Sequence, residues 1–145
     1  MLDTIALLLT ATGVCVGAWQ LRSSQRLALT AFEDSVDQQY RALAATIPMD
    51  VWLARTPPAD VPARTREAIF RYFDLCNEQV FLRRTGRVSS TRWVVWEDGI
   101  RHHMRVPAID AVWTEVVDGS SGYFGELERL LDSVGRGDPK SWKRR

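Results

Sequence analysis

At 145 residues, with 19 Lys+Arg against 18 Asp+Glu and a formal net charge of +1, the chain has room for one small domain and an appended segment. So even a balance excludes a protein that grips nucleic acid through a basic excess. The two cysteines, Cys15 in an apolar run and Cys76 in a helical pattern, are expected to stay reduced and packed rather than to form a disulfide framework.

The first element in chain order is the run 4–21, TIALLLTATGVCVGAWQL, which carries no charge. Eighteen helical residues rise about 27 Å, close to the hydrocarbon thickness of a bilayer, so residues 1–21 are predicted to be a single transmembrane anchor. A cleaved signal peptide would open on positive residues and end on a small-residue cleavage site. This chain opens Met-Leu-Asp, has no A-x-A site, and offers a poor lipoprotein box before Cys15. Asp3 precedes the run, and Arg22 and Arg26 follow it. The positive-inside rule then puts the N-terminus outside and the remainder in the cytoplasm, at a bacterial inner membrane. Trp19 would sit at the inner interface. Gly13 and Gly17 form a GxxxG whose flat groove admits a second helix closely, so they are the candidates for helix association.

No Gly or Pro interrupts residues 18–47, and Leu29, Phe32, Val36, Tyr40, Leu43 and Ile47 recur every three or four positions. One long helix is expected to continue from the anchor into the domain, with Glu33, Asp34, Asp37, Gln38 and Arg41 on its polar side, and to end before Pro48. Residues 54–62 are a proline-rich connection. A second helix starts near Pro62 or Thr65, buries Ile69, Phe73, Cys76 and Val80, and stops at Gly86 after Arg83 and Arg84. Ser89, Ser90 and Thr91 can cap a third helix bearing Trp93, Trp96, Ile100 and Met104. Pro107 kinks it or opens a fourth segment with Ile109, Val112, Trp113 and Val116. After the turn at residues 118–122 a last helix presents Phe124, Leu127, Leu130, Leu131 and Val134. With no period-two alternation, the expected fold is all-α: the anchor, then a compact bundle of about four helices over residues 22–135, then a flexible basic tail, 136–145. Lys140, Lys143, Arg144 and Arg145 of that tail are placed to touch anionic head groups, although a solvated terminus is the simpler reading.

The stretch 70–113 carries Tyr72, Phe73, Asn77, Glu78, Gly86, Ser89, Trp93 and Trp96, followed by Pro107 and Trp113. In this order it resembles an uncharacterised bacterial family of small proteins with one N-terminal membrane helix and a helical cytoplasmic domain. The resemblance covers about a third of the chain and implies a membrane tether and a helical fold, with no settled activity. The layout, though not matched residues, is also similar to the membrane accessory protein of RNA-targeting CRISPR systems, which implies a ribonuclease-type helical domain. The Arg-x4-His motif of such domains is absent, because Glu97 and Asp98 stand five positions before His102 and His103.

The chemistry-bearing residues are few. Adjacent histidines on a helix point about 100° apart, and no cysteine or carboxylate lies at zinc spacing around them. Glu97 and Arg101 form a favourable i,i+4 pair. The most site-like cluster is Asp74, Asn77 and Glu78, which with Arg101 makes a candidate buried polar network. Trp93, Trp96 and Trp113 are the candidate interface residues. Arg83, Arg84 and Arg87 fit a helix end, and no Gly-rich phosphate loop occurs. No catalytic, metal or cofactor site is expected, and no small-molecule substrate is indicated. The expectation is a membrane-anchored adaptor or self-assembling module whose partners are lipid and either its own copies or a cytoplasmic protein. A membrane-perturbing oligomeric effector of phage defence and a cryptic enzyme using Asp74, Glu78 or the histidines are the alternatives.

Overall fold

The computed structural model describes residues 2–120, 122–133 and 137–142, and among these the side chains of 2–13, Cys15 and Ser120 are outside the description. The described residues are all-helical, with no strand. Their helices are α1 (Leu2–Ala44), α2 (Met49–Trp52), α3 (Ala63–Arg84), α4 (Ser90–His103), α5 (Pro107–Ser120) and α6 (Gly125–Asp132). Two single 3-10 turns, Pro58–Asp60 and Pro139–Ser141, complete them.

By contacts the chain divides into two compact units, Met1–Ser35 and Val36–Arg145. The first lies wholly within α1. In its apolar run the described side chains are open: Val14 is 68%, Trp19 70% and Leu21 61% exposed. Among the described residues no helix is long and apolar enough to cross a membrane. Most of the apolar run 4–21, Gly13 included, has side chains that lie outside the described ones.

In the second unit α3 is the central element, packed against α4, α5 and α6. Its stripe of Ile69, Phe73, Cys76 and Val80 is completely buried, as a 3.6-residue period on a core helix requires. Pro62 stands in extended backbone as the N-cap, where its missing N–H costs no hydrogen bond. At the other end Arg83 and Arg84 occupy the last turn, and Gly86 takes φ +77° to reverse the chain. Ser89 then caps α4, its hydroxyl oxygen accepting from the Arg92 amide at 3.2 Å. Such a cap is worth about 1 kcal/mol.

Three details depart from the sequence reading. The four-residue α2 precedes the proline-rich connection, and the connection itself contains the turn Pro58–Asp60. Neither is long enough to show a period. The described part of the tail, 137–142, is docked: Asp138 pairs with the buried Arg83 guanidinium, Pro139 is buried, and Arg129 lies 4.6 Å over the Trp142 ring. A buried guanidinium needs a carboxylate, and Asp138 is the one that supplies it. Residues 143–145 of that tail lie outside the described residues. Of the residues assigned to the polar side, Glu33 is only 6% exposed, and Asp37 is half-buried and engaged by α4.

Candidate functional site

Within the second unit, three helices bring a mixed set of side chains to one groove. From α3 come Tyr72 and Gln79, with Cys76 between them on the same face. Trp96, Ile100 and His103 come from α4, and Asp37, Tyr40 and Arg41 from the last turns of α1. The positions step by three, four or seven, so each helix presents them along one line. They enclose a cavity of about 290 Å³.

Asp37 ties α1 to α4. Its Oδ1 accepts from Trp96 Nε1 at 2.7 Å and its Oδ2 from the Arg92 guanidinium at 2.8 Å. Both carboxylate oxygens are thereby used, and the negative charge faces a positive one across the helix pair. Trp96 is held as a fixed ring rather than left free to rotate.

Deeper in, the Tyr72 hydroxyl lies 3.0 Å from His103 Nδ1. Burial lowers the His103 pKa below its ordinary value, helped by neighbouring His102, so the imidazole is neutral at pH 7. Burial first, and the nearby Cys76 second, raises the Tyr72 pKa, so the phenol keeps its proton. The phenol and the imidazole share one hydrogen bond, whose donor is set by the imidazole tautomer. Rings surround this pair: Trp52 is 4.7 Å from His103 between centroids, and Tyr40 is stacked on it at 6.3 Å.

Cys76 is completely buried, and burial pushes its thiol up to about 12 against the opposing hydrogen bond from Tyr72. A nucleophilic cysteine needs the thiolate, so this one packs as a small apolar group. His102 is exposed, and no group of three His, Cys, Asp or Glu able to hold a metal occurs among the described residues.

Gln79 has the most unusual surroundings in the groove. It is 4% exposed, lines the cavity, and makes no hydrogen bond to any described residue. Its polar atoms are not among the buried ones without a partner, which among the described residues are Trp93 Nε1 and Glu128 Oε1, so the amide is open to the groove. The wall is otherwise aromatic and aliphatic, with the Asp37 carboxylate held by Trp96 and Arg92 and one exposed cation, Arg41, at the edge. Such a constellation can hold a flat molecule and orient it. It holds neither an activated nucleophile nor a carboxylate free for acid–base work.

The cluster expected from sequence is dispersed. Asn77 Oδ1 accepts from the backbone amides of Glu126 and Leu127 at 3.1 and 3.0 Å, capping α6 from a distance. Asp74 accepts from the Tyr123 hydroxyl at 3.1 Å. Arg101 pairs with Glu97 on its own helix at 2.9 Å, and Glu78 is exposed. No single network joins them. Trp93 and Trp96 are core side chains, 1% and 7% exposed, and Trp113 packs on Phe73 and Phe124. The open apolar residues on α4 are instead Val94 and Val95. A side chain at Gly17 would meet nothing within 4 Å.

Sequence reasoning passed over Asp37, Tyr40, Tyr72, Gln79 and His103 as a site. The available signal was Gln79 itself, a polar residue seven positions after Tyr72 and three after Cys76 on the buried stripe. Compared with known proteins, the chain matches no family model, no curated protein and no solved structure.

Proposed function

We propose that the chain is a membrane-anchored helical module that acts by association, with its own copies or a protein partner, at the bacterial inner membrane. Residues 1–21 anchor it with the N-terminus outside, and the unit Val36–Arg145 works in the cytoplasm. The observation that carries this reading is the uncharged run 4–21 in a continuous helix whose described apolar side chains, Val14, Val16, Trp19 and Leu21, are left open. Apolar surface in water is unfavourable by about 25 cal/mol per Å², and hydrocarbon or a second helix removes that cost. Arg22 and Arg26 beside the run set the orientation. The open backbone at Gly17, with Gly13 one turn earlier, leaves room for a second helix to approach. The family resemblance of residues 70–113 supports the same tether.

The test is carbonate washing of membranes from cells making the full chain. The protein is expected to stay in the membrane pellet, and the double substitution Leu8→Arg with Val14→Arg to move it to the supernatant. Release of the unmodified chain would overturn the anchor. For association, the detergent-solubilised chain is expected to run as an oligomer that Gly17→Leu dissociates. A monomer in both cases would leave a tether that needs a different partner.

A further inference from the structure

Three features of the second unit are candidates for something beyond tethering. The crevice beside Glu128 and Trp142 borders residues outside the description, and the exposed Val94 has nothing beside it that says what would cover it, while Val95 lines the groove between α1, α3 and α4. The groove between α1, α3 and α4 differs, because a buried polar group is aimed into it.

We propose that this groove binds a small planar heterocycle or carboxamide, a molecule whose edge carries a hydrogen-bond donor next to an acceptor. Three observations lead there. Gln79 presents a primary amide into the cavity from a nine-tenths-buried position with no partner among the described residues. An amide is a donor and an acceptor side by side, so its complement is another such edge, as in a lactam or a nucleobase. The walls facing it are flat rings, Tyr40, Tyr72, Trp96 and the neutral His103, which favour a planar π system. The size agrees: about 290 Å³ is room for on the order of ten waters, at the lower end of ordinary ligand pockets, and so fits a single ring system.

The groove is also pre-formed. Asp37 clamps Trp96 through Oδ1 and Arg92 through Oδ2, and the Tyr72–His103 hydrogen bond fixes the two innermost rings. Asp37 is already engaged by one donor on each oxygen, Trp96 Nε1 and the Arg92 guanidinium. Binding would cost little rearrangement, and specificity would come from the one amide. A site built around a buried polar partner rejects analogues that lack the matching edge far more strongly than an apolar slot does.

The experiment is titration of the full-length protein in detergent with adenine, uracil and nicotinamide, each carrying such an edge, and with naphthalene, which carries none. Calorimetry and the shift in melting temperature are the readouts. At least one edge-bearing probe is expected to bind, and naphthalene to bind at least tenfold more weakly. Gln79→Leu, of similar volume but without the amide, is expected to weaken binding by about tenfold or more. Gly99 borders the groove and a side chain there would meet nothing within 4 Å. Gly99→Leu is therefore expected to keep the fold, shown by an unchanged circular dichroism spectrum, and to abolish binding by filling the space. Three results would each overturn the proposal: no binding of any probe at millimolar concentration, equal affinity in Gln79→Leu, or naphthalene binding as tightly as the others. None of these readouts depends on membrane insertion or oligomeric state, so the site and the tether fail separately.

Discussion

Asn77 and Gln79 are both primary amides on α3, two positions apart, and two helical steps turn a side chain by about 200°. They look to opposite sides of the same helix. On the Asn77 side Asn77 caps α6, Asp74 holds Tyr123, Arg84 pairs with Glu126, and Phe73, Trp113 and Phe124 interlock edge to face. On the Gln79 side the rings are equally dense, but a cavity remains and the amide facing it is unpaired. A helix that completes its hydrogen bonds on one face and leaves one open on the other separates holding the fold from meeting something else.

The comparison breaks if the packed side proves soft. Phe124 is completely buried, with Phe70, Trp113 and Tyr123 rings around it. Phe124→Ala is expected to cost about 3–5 kcal/mol, read as a lower urea midpoint at constant slope; a loss under 1 kcal/mol would mean that this face is not a core. Arg83→Ala comes next. The Arg83 side chain is 6% exposed and its partner Asp138 37%, so relief of Asp138 by water discounts the loss. About 2 kcal/mol is expected, with faster hydrogen exchange at the Lys140 amide, which Asp138 also holds. The same Arg83 contact keeps the Asp138 carboxyl below its ordinary range. Its contribution is therefore present above about pH 4 and lost as the pH falls through the lowered value. Asn77→Ala is expected to cost about 1–2 kcal/mol, and to speed exchange at Glu126 and Leu127 rather than across the whole domain.

Sequence patterning made legible what repeats: the long α1, the buried stripe of α3, the Ser89 cap and the stop at Gly86. Each rests on a residue whose backbone or periodicity speaks locally. Residues whose meaning is set by a distant partner were not legible. Asn77 and Arg101 shared a plausible neighbourhood in the pattern, yet one meets Glu126 and Leu127 and the other stays with Glu97. Asp37 counted as surface because its own helix offers it no partner; Trp96 and Arg92, more than fifty positions on, supply two. Tyr72 and His103 form a pair across α3 and α4 that no spacing announces. The docked residues 137–142 follow the same logic, since only the burial of Arg83 calls for Asp138.

On the groove side the effects are smaller, and only that of Gln79→Leu is opposite in direction. His103 is held below its ordinary 6.5 by burial and by His102. An unfolded chain therefore takes up the proton first as the pH falls, and the domain loses stability on acidification below about 6.5 until the lowered value is passed. His103→Gln is expected to flatten that slope just below pH 6.5. An unchanged slope would place the titration elsewhere. The smallest effect is the most telling for the comparison. Gln79→Leu removes an amide that has no partner and keeps the volume, so the ligand-free protein is expected to lose nothing and to gain up to about 1 kcal/mol. Asn77→Leu, two positions away, must lose stability, because two amides of α6 forfeit their acceptor. Two amide-to-leucine changes with opposite signs on one helix would separate the face that holds the fold from the face left open. Equal losses would mean that Gln79 is satisfied in solution, and the groove would then be ordinary core.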